Sequence, residues 1–138
     1  MNKITEYSTL VELLQYRSLN QPQQTAYTFL KDGEIEADSL TYQELDRRAK
    51  AIAAHLQSLG TLGERALLLY PQGLEFIAAF CGCLYAGAIA IPAPPPDRAR
   101  LKRTLPRLQA IVADTQASLV LTTSGILSQL KDAQEQIL

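Results

Sequence analysis

Few residues in this 138-residue sequence are of the types that carry out chemistry. The sequence contains one histidine, His55, and two cysteines, Cys81 and Cys83. Because His55 has no serine, cysteine or aspartate at a telling spacing, we interpret it as a residue at the edge of an apolar helix face rather than as a general base. The cysteines lie two positions apart on a predicted helix, which directs their side chains about 200° apart and disfavours a shared metal or a disulfide. Buried reduced thiols are the favoured interpretation.

Two short segments come nearest to a phosphate-binding loop. The segment GTLG at 60–63 precedes a predicted strand, so its amides would not lie at a helix amino terminus. The segment TTSG at 122–125 lies between a strand and a helix, but it has one glycine and no adjacent lysine, so we interpret it as a helix cap. The sequence also lacks nucleophile-elbow and zinc-ligand motifs. We therefore predict no catalytic, cofactor-binding or metal-binding residue among the 138.

The composition is that of an ordinary globular protein, with 47% hydrophobic and 20% charged residues. The 13 basic and 14 acidic residues nearly cancel, which argues against nucleic acid as a partner. The densest basic run, from Arg98 to Arg107, could face phosphate or an acidic partner, although a solvated helix face is the favoured interpretation.

The longest apolar stretch runs from Leu74 to Ala93. Gly87 and Pro92 divide it into a helix and a strand, and the helical part is too short to cross a bilayer. The first residues lack the apolar region of a signal peptide. We predict no membrane span and a cytoplasmic location.

The central element is a strand, a helix and a second strand between Arg65 and Pro96. Arg65–Tyr70 predicts the first strand, Leu74–Ala86 a helix that is buried on nearly every side, and Ala88–Ala93 a second strand. Because the second strand is continuously apolar, we expect it to be covered on both faces of a parallel sheet.

The elements on either side follow from caps, turns and periodicity. Before the central unit we predict a helix over Leu10–Ser18 capped by Ser8 or Thr9, and strands Thr25–Leu30 and Ile35–Leu40 around an Asp32-Gly33 turn. A second helix is opened by a Thr41/Glu44 capping box and ended by Gly60. After the central unit we predict a helix near Leu101–Val112 that Pro106 must open or kink, a strand at Ser118–Thr123 and a helix over Gly125–Leu138. This order predicts an α/β fold with a mainly parallel sheet, flanking helices and a small antiparallel hairpin near the amino terminus. We divide the single partial domain 1–138 into a helix and hairpin at 8–40 and an α/β unit at 41–138.

Ligands of open α/β sheets bind beyond the carboxyl ends of the strands. In this sequence those ends carry Tyr70–Gly73 and Pro92–Pro96. We therefore expect any small-molecule crevice to lie near these two segments.

The run from Leu40 to Pro96 resembles the amino-terminal region of the adenylate-forming enzyme superfamily. LTYQEL is similar to the opening core motif of those enzymes, and CLYAGAIAIPAPPP is similar to the second. Within the superfamily the sequence looks most like the fatty acyl-AMP ligases, which share AF-x-GCLYAG followed by a proline-rich P-x-PP. A looser likeness extends from Thr9 to Thr123.

This resemblance implies the amino-terminal subdomain of an enzyme with a reaction in two halves. A fatty acid carboxylate attacks the α-phosphate of ATP with the help of Mg²⁺, giving an acyl-adenylate and pyrophosphate, and the acyl group then passes to the phosphopantetheine thiol of an acyl carrier protein. The family's phosphate loop, nucleotide-binding segments and catalytic lysine would all follow Leu138. The segment by itself is therefore expected to be inactive and to hold no cofactor, and the remainder of the enzyme is expected to pack on it.

The resemblance also suggests residues that line the path of the acyl chain or the pantetheine. These predicted wall residues are Tyr70, Pro71, Gly73, Pro92, Pro94, Pro95 and Pro96. Two alternatives remain open at this point: a non-catalytic interaction module, and a fragment of another adenylating enzyme, either an acyl-CoA ligase or an amino-acid adenylation domain.

Overall fold

The computed structural model describes residues 7–137, with side chains as far as Asp132. The helices in this range are α1 (Leu10–Asn20), α2 (Tyr42–Ser58), α3 (Leu74–Ala86), α4 (Leu101–Thr115) and α5 (Ser124–Ile137). The strands are β1 (Thr25–Lys31), β2 (Ile35–Thr41), β3 (Arg65–Leu69), β4 (Ile89–Ala93) and β5 (Leu119–Thr122). One turn of 3₁₀ helix, Arg98–Arg100, precedes α4.

Strands β3, β4 and β5 form a parallel sheet in the order β4-β3-β5. Leu69, the last residue of β3, lies opposite Ala93 of β4 and Thr122 of β5, so the three strands end at the same level. Strands β1 and β2 form a separate antiparallel hairpin. The predicted α/β fold with a parallel sheet and a small hairpin is confirmed.

The caps that the sequence predicts are present at the first two helices. Thr9 Oγ1 accepts a hydrogen bond from the Glu12 N–H at 3.1 Å, and Thr41 Oγ1 accepts one from the Glu44 N–H at 3.2 Å. These bonds satisfy amides that have no partner within the helix, which fixes where α1 and α2 begin.

Helices cover both faces of the parallel sheet. On one face α2 and α3 pack against β3 in a cluster of small and medium apolar side chains: Ala53, Leu56, Ala66, Leu68, Ala79, Cys83, Ala86 and Ala88. On the other face Leu108 of α4 and Ile126 of α5 pack against Leu67 and Leu69 of β3. Alternate residues of β3 therefore point into two different cores, as expected for the central strand of a three-layer α/β fold.

A third cluster joins the hairpin to the helices. Leu40 of β2 is fully buried with Leu45 and Ala49 of α2 and with Leu74 and Cys81 of α3. Because these elements share one core, the hairpin is held against the α/β unit by apolar burial.

Helices α2 and α3 approach most closely at Gly82. A Cβ atom at Gly82 would lie 2.6 Å from Ile52 Cγ2 and 3.3 Å from the Ala49 carbonyl oxygen. Real Cβ atoms do not come this close to other heavy atoms, so the distance between the two helices requires glycine at this position.

The exposure of β4 differs from the sequence-based expectation. Strand β4 lies at the edge of the described sheet, and Ile89 and Pro92 are exposed, so β4 is not covered on both faces. An edge position also explains why the strand accommodates a proline, which has no N–H for a second ladder. Pro106 was predicted to open or to kink its helix, and the structure excludes the first case. Pro106 lies inside α4, and it has no N–H to donate to the Lys102 carbonyl.

We expect Gly82→Ala to lower the free energy of unfolding by about 1–3 kcal/mol, because the added methyl group must push α2 and α3 apart. Chemical denaturation followed by circular dichroism measures this difference. The matched control is Gly125→Ala in α5, where an added Cβ would contact only Thr123 Oγ1, at 3.9 Å. The control should be neutral or stabilising by up to about 1 kcal/mol, because alanine has the higher helix propensity. Equal stability of the two variants would contradict the close-approach argument.

Candidate functional site

The loops that follow the three parallel strands lie at one edge of the sheet. The shared register places Tyr70–Gly73 after β3, Pro94–Pro96 after β4 and Thr123 after β5 at this carboxyl edge. The sequence predicted the first two loops as neighbours. Pro92 lies within β4, opposite Leu68, so it belongs to the strand and not to the loop.

A cavity of about 340 Å³ opens beside this edge, between α2, α3 and the ends of β3 and β5. We call it the edge cavity. Its lining consists of Arg48, Ala51 and Ile52 from α2, Tyr70, Glu75 and Ala78 from α3 and the loop before it, and Thr122. Arg48 and Glu75 are exposed charged residues, while Ala78 is buried. The arrangement therefore suits a mainly apolar group that enters past charged side chains.

Tyr70 contributes a half-buried phenol side chain to the lining of the edge cavity. Burial raises the pKa of its hydroxyl, and the negative charge of Glu75 raises it further, with a smaller contribution from Cys83. The hydroxyl is therefore protonated at neutral pH and is suited to donate a hydrogen bond rather than to act as a base.

The threonine hydroxyls at this edge are engaged in the fold. Thr122 Oγ1 donates to the Leu69 carbonyl at 2.7 Å, and Thr123 Oγ1 accepts from the Ile126 N–H at 3.1 Å. The segment at 122–125 is therefore a helix cap, as predicted. In the other glycine-containing segment, the Gly63 N–H donates to the Gly87 carbonyl at 2.9 Å, so that amide is also used internally.

The structure separates the predicted wall residues by exposure. Pro71, Pro92 and Pro94 are exposed, Tyr70, Gly73 and Pro95 are half-buried, and Pro96 is buried. Of these seven residues, Tyr70 lines the edge cavity.

Gly73 has φ 153°, a conformation that side-chain-bearing residues rarely adopt, so a turn requirement accounts for this glycine.

Sequence reasoning missed a buried polar contact between α2 and α3. The Tyr85 hydroxyl donates to Asp46 Oδ1 at 2.8 Å, and Lys50 Nζ lies 2.9 Å from Asp46 Oδ2. Asp46 is 9% exposed. Burial, the hydrogen bond to Asp46 and the charge of Asp46 all raise the pKa of Tyr85. The four-residue spacing of Asp46 and Lys50 on a helix is a sequence signal for an ion pair. The contact with Tyr85 has no such signal, because Tyr85 lies 39 positions after Asp46.

The described residues offer no ligand set for Mg²⁺, because among them no group of three His, Cys, Asp or Glu side chains could hold a metal ion. In the glycine-containing segments, the Gly63 N–H donates to the Gly87 carbonyl and the Ile126 N–H donates to Thr123. His55 is exposed, and the two free cysteines are buried in different clusters. We therefore assign no nucleotide chemistry to these residues.

Within residues 7–137, none of the helices combines the length and the apolar character that crossing a bilayer needs. The cytoplasmic location stays a prediction.

The sequence profile of the AMP-binding enzymes matches residues 14–137. The chain therefore belongs to the AMP-binding enzyme family, in agreement with the motifs at Leu40–Pro96.

Ligases whose names specify fatty acids are among the individual relatives. The chain is 61% identical over 132 residues to the medium-chain fatty acid–[acyl-carrier-protein] ligase JamA of Moorena producens, covering 96% of this chain and 22% of JamA. Its structure is similar to that of the fatty acid AMP ligase from Legionella pneumophila, with a TM-score of 0.82 and 38% identity, over 94% of this chain and 22% of that one. A second structure, a fatty acyl-adenylate ligase from L. pneumophila in complex with acyl adenylate and pyrophosphate, gives the same values.

The chain thus spans about a fifth of the length of these relatives. The resemblance to the fatty acyl-AMP ligases that the sequence motifs indicate is confirmed, and so is the fold that it implies.

The position of Cys83 leads to a prediction about stability at alkaline pH. Burial in the core raises the pKa of the Cys83 thiol from 9.0 to about 11. Because the folded-state pKa lies above the unfolded-state pKa, this thiol's contribution is complete below about pH 9 and is lost as the pH rises towards 11. We expect the free energy of unfolding to fall over that interval, and to fall less steeply in Cys83→Ala. Denaturant titrations at several pH values measure the two slopes.

A control variant separates the thiol from general alkaline effects. His55→Ala changes an exposed residue of α2 and should keep the wild-type slope between pH 9 and 11. Parallel curves for the wild type and Cys83→Ala would show that the Cys83 thiol does not contribute.

Proposed function

We propose that this chain is the amino-terminal part of a fatty acyl-AMP ligase. The complete enzyme activates a fatty acid with ATP to an acyl-adenylate and transfers the acyl group to the phosphopantetheine thiol of an acyl carrier protein. The observation that carries this proposal is the 61% identity to JamA across 96% of the chain. The similarity to a ligase bound to acyl adenylate and pyrophosphate supports the same reaction.

In this proposal the chain supplies a scaffold rather than reactive groups. The hydroxyls of Thr122 and Thr123 at the carboxyl edge are used in a strand contact and in a helix cap, and the described residues form no metal site. ATP and Mg²⁺ are therefore assigned to other parts of the enzyme, and the 138 residues alone are expected to be inactive.

Exposed apolar side chains support packing of further protein on this segment. Leu62 is 82% exposed and Leu59 is 61% exposed, and both lie in or next to the loop that leads from α2 into β3. Ile89, the first residue of β4, is 49% exposed beside the same end of the sheet. Apolar groups that are close together on a surface are typical of interaction sites. We propose that the remainder of the enzyme covers them.

The carboxyl edge is the proposed wall of the acyl or pantetheine path. Tyr70 is its best candidate, because its side chain lines the edge cavity. The six other predicted wall residues, Pro71, Gly73, Pro92, Pro94, Pro95 and Pro96, remain proposals. Substitution of Gly73 would be a poor probe, because its backbone conformation would be strained by any side chain.

We expect Tyr70→Ala in the complete enzyme to change the preference among fatty acids of different chain length by about tenfold, because removing the ring enlarges the edge cavity. Fatty-acid-dependent ATP–pyrophosphate exchange gives kcat/KM for each substrate. Leu19→Ala, at an exposed position of α1 that does not line the edge cavity, is the control and should leave the preference unchanged. If both variants keep the wild-type preference, Tyr70 does not line the path.

The proposed reaction itself is tested on the natural full-length gene product. Its intact mass should be several times that of the 15.2 kDa chain. We expect it to catalyse ATP–pyrophosphate exchange with fatty acids and to acylate a holo carrier protein, while the 138-residue chain does neither. A natural product of the size of this chain, or no exchange with any fatty acid, would refute the proposal and favour the interaction-module alternative. Exchange with amino acids instead would favour an amino-acid adenylation enzyme, and transfer to coenzyme A rather than to the carrier protein would favour an acyl-CoA ligase.

A further inference from the structure

Helix α4 has one apolar face and one strongly basic face. Leu108 is buried against the sheet, and Leu101, Leu105 and Ile111 are half-buried at helical spacing on the same side. The basic residues of the run that begins at Arg98 are exposed.

The start of α4 and the preceding 3₁₀ turn enclose an open groove of about 940 Å³, which we call the α4 groove. Four cationic side chains line it: Arg98, Arg100, Lys102 and Arg103. Leu101, Leu105 and Pro106 add apolar lining between the charges. The four cations are exposed, as expected for the solvated face that the sequence favoured, and the groove adds apolar side chains beside them.

The positive charge of the α4 groove is largely unneutralised. Asp97 is the only acidic residue between positions 97 and 113, and its Oδ1 accepts the Ala99 N–H at 3.0 Å. Arg98 Nη2 lies 3.9 Å from Asp132 Oδ2, so this pair is an ion pair. Within the described side chains, Arg100, Lys102 and Arg103 have no carboxylate within ion-pair distance.

Hydrogen bonds fix the shape of the groove. Thr104 Oγ1 accepts from the Asp97 N–H at 3.0 Å and lies 3.0 Å from the Arg100 carbonyl oxygen, to which it donates. These contacts attach the 3₁₀ turn to the first turns of α4. A backbone held in this way loses little conformational entropy when the groove binds a partner.

We propose that the α4 groove docks an acidic surface of the protein that receives the acyl group. This inference rests on the proposed function, which supplies a protein as the acyl acceptor. Charge complementarity selects an acidic partner, and the apolar lining favours a protein surface over a polyanion. Nucleic acid is disfavoured because the chain as a whole has a net charge of -1.

The test uses the full-length enzyme and a matched pair of charge reversals on one helix. Lys102→Glu places a negative charge in the α4 groove, whereas Arg107→Glu makes the same change at an exposed position of α4 that does not line it. Two reactions are measured for each variant: fatty-acid-dependent ATP–pyrophosphate exchange, and acyl transfer to the holo carrier protein at low and high salt.

We expect Lys102→Glu to lower kcat/KM for acyl transfer about tenfold at low salt, with a smaller loss at high salt, because charge reversal weakens encounter with an acidic partner. Exchange should stay at the wild-type rate. Arg107→Glu should leave both reactions within about twofold of the wild type, because its charge lies outside the contact.

Four results would overturn this inference. Transfer by Lys102→Glu at the wild-type rate would show that the groove does not contact the acceptor, and equal losses in both variants would indicate a general charge effect. Loss of exchange in Lys102→Glu would show that the groove is covered by the enzyme itself. Binding of an RNA oligonucleotide that Lys102→Glu abolishes, with transfer unchanged, would assign the groove to nucleic acid. Absence of exchange in the wild type is a different result, because it refutes the proposed function.

Discussion

The close contact between α2 and α3 is the constraint on which the rest of the structure depends. At Gly82 the two helices are so near that a single methyl group would overlap Ile52. The same pair of helices buries one face of β3 and, through Leu40, holds the hairpin. The Tyr85–Asp46 hydrogen bond adds a polar link with a defined geometry. Moving α2 away from α3 would therefore disturb two of the three apolar clusters together, because interiors are closely packed.

The parallel register determines where a ligand could reach this fold. Since β3, β4 and β5 end at the same level, three loops meet at one edge of the sheet, and the edge cavity opens beside them. The hydroxyls of Thr122 and Thr123 there form hydrogen bonds within the fold, whereas Tyr70 lines the edge cavity. On the other side of the sheet, the start of α4 and the turn before it present exposed cations away from this edge cavity. We propose that a scaffold of this kind contributes to function through the shape of a path and through the charge of a surface.

Much of the fold was predictable because the signals are local. The range of α3 follows from a run of apolar residues between Gly73 and Gly87, and both termini match the structure. The Thr41 cap and the Asp32-Gly33 turn each depend on residues that lie within three or four positions of one another, so both could be predicted from the sequence. The exposure of β4 could not be predicted, because a strand at the centre and a strand at the edge of a sheet can have the same apolar sequence pattern. Only strand order distinguishes the two cases.

By itself the sequence determined the class of fold, the family and the absence of familiar catalytic motifs among its 138 residues. The tertiary structure decided which predicted wall residue lines a cavity, since Tyr70 does so while Pro71 and Pro94 are exposed. It also decided that Asp46 is buried beside Tyr85, and that the cations of the 98–103 segment share a groove with apolar side chains. The physical reason is distance along the chain. Local propensity and periodicity act over a few residues, whereas the edge cavity and the Asp46–Tyr85 pair arise when segments far apart in sequence pack together.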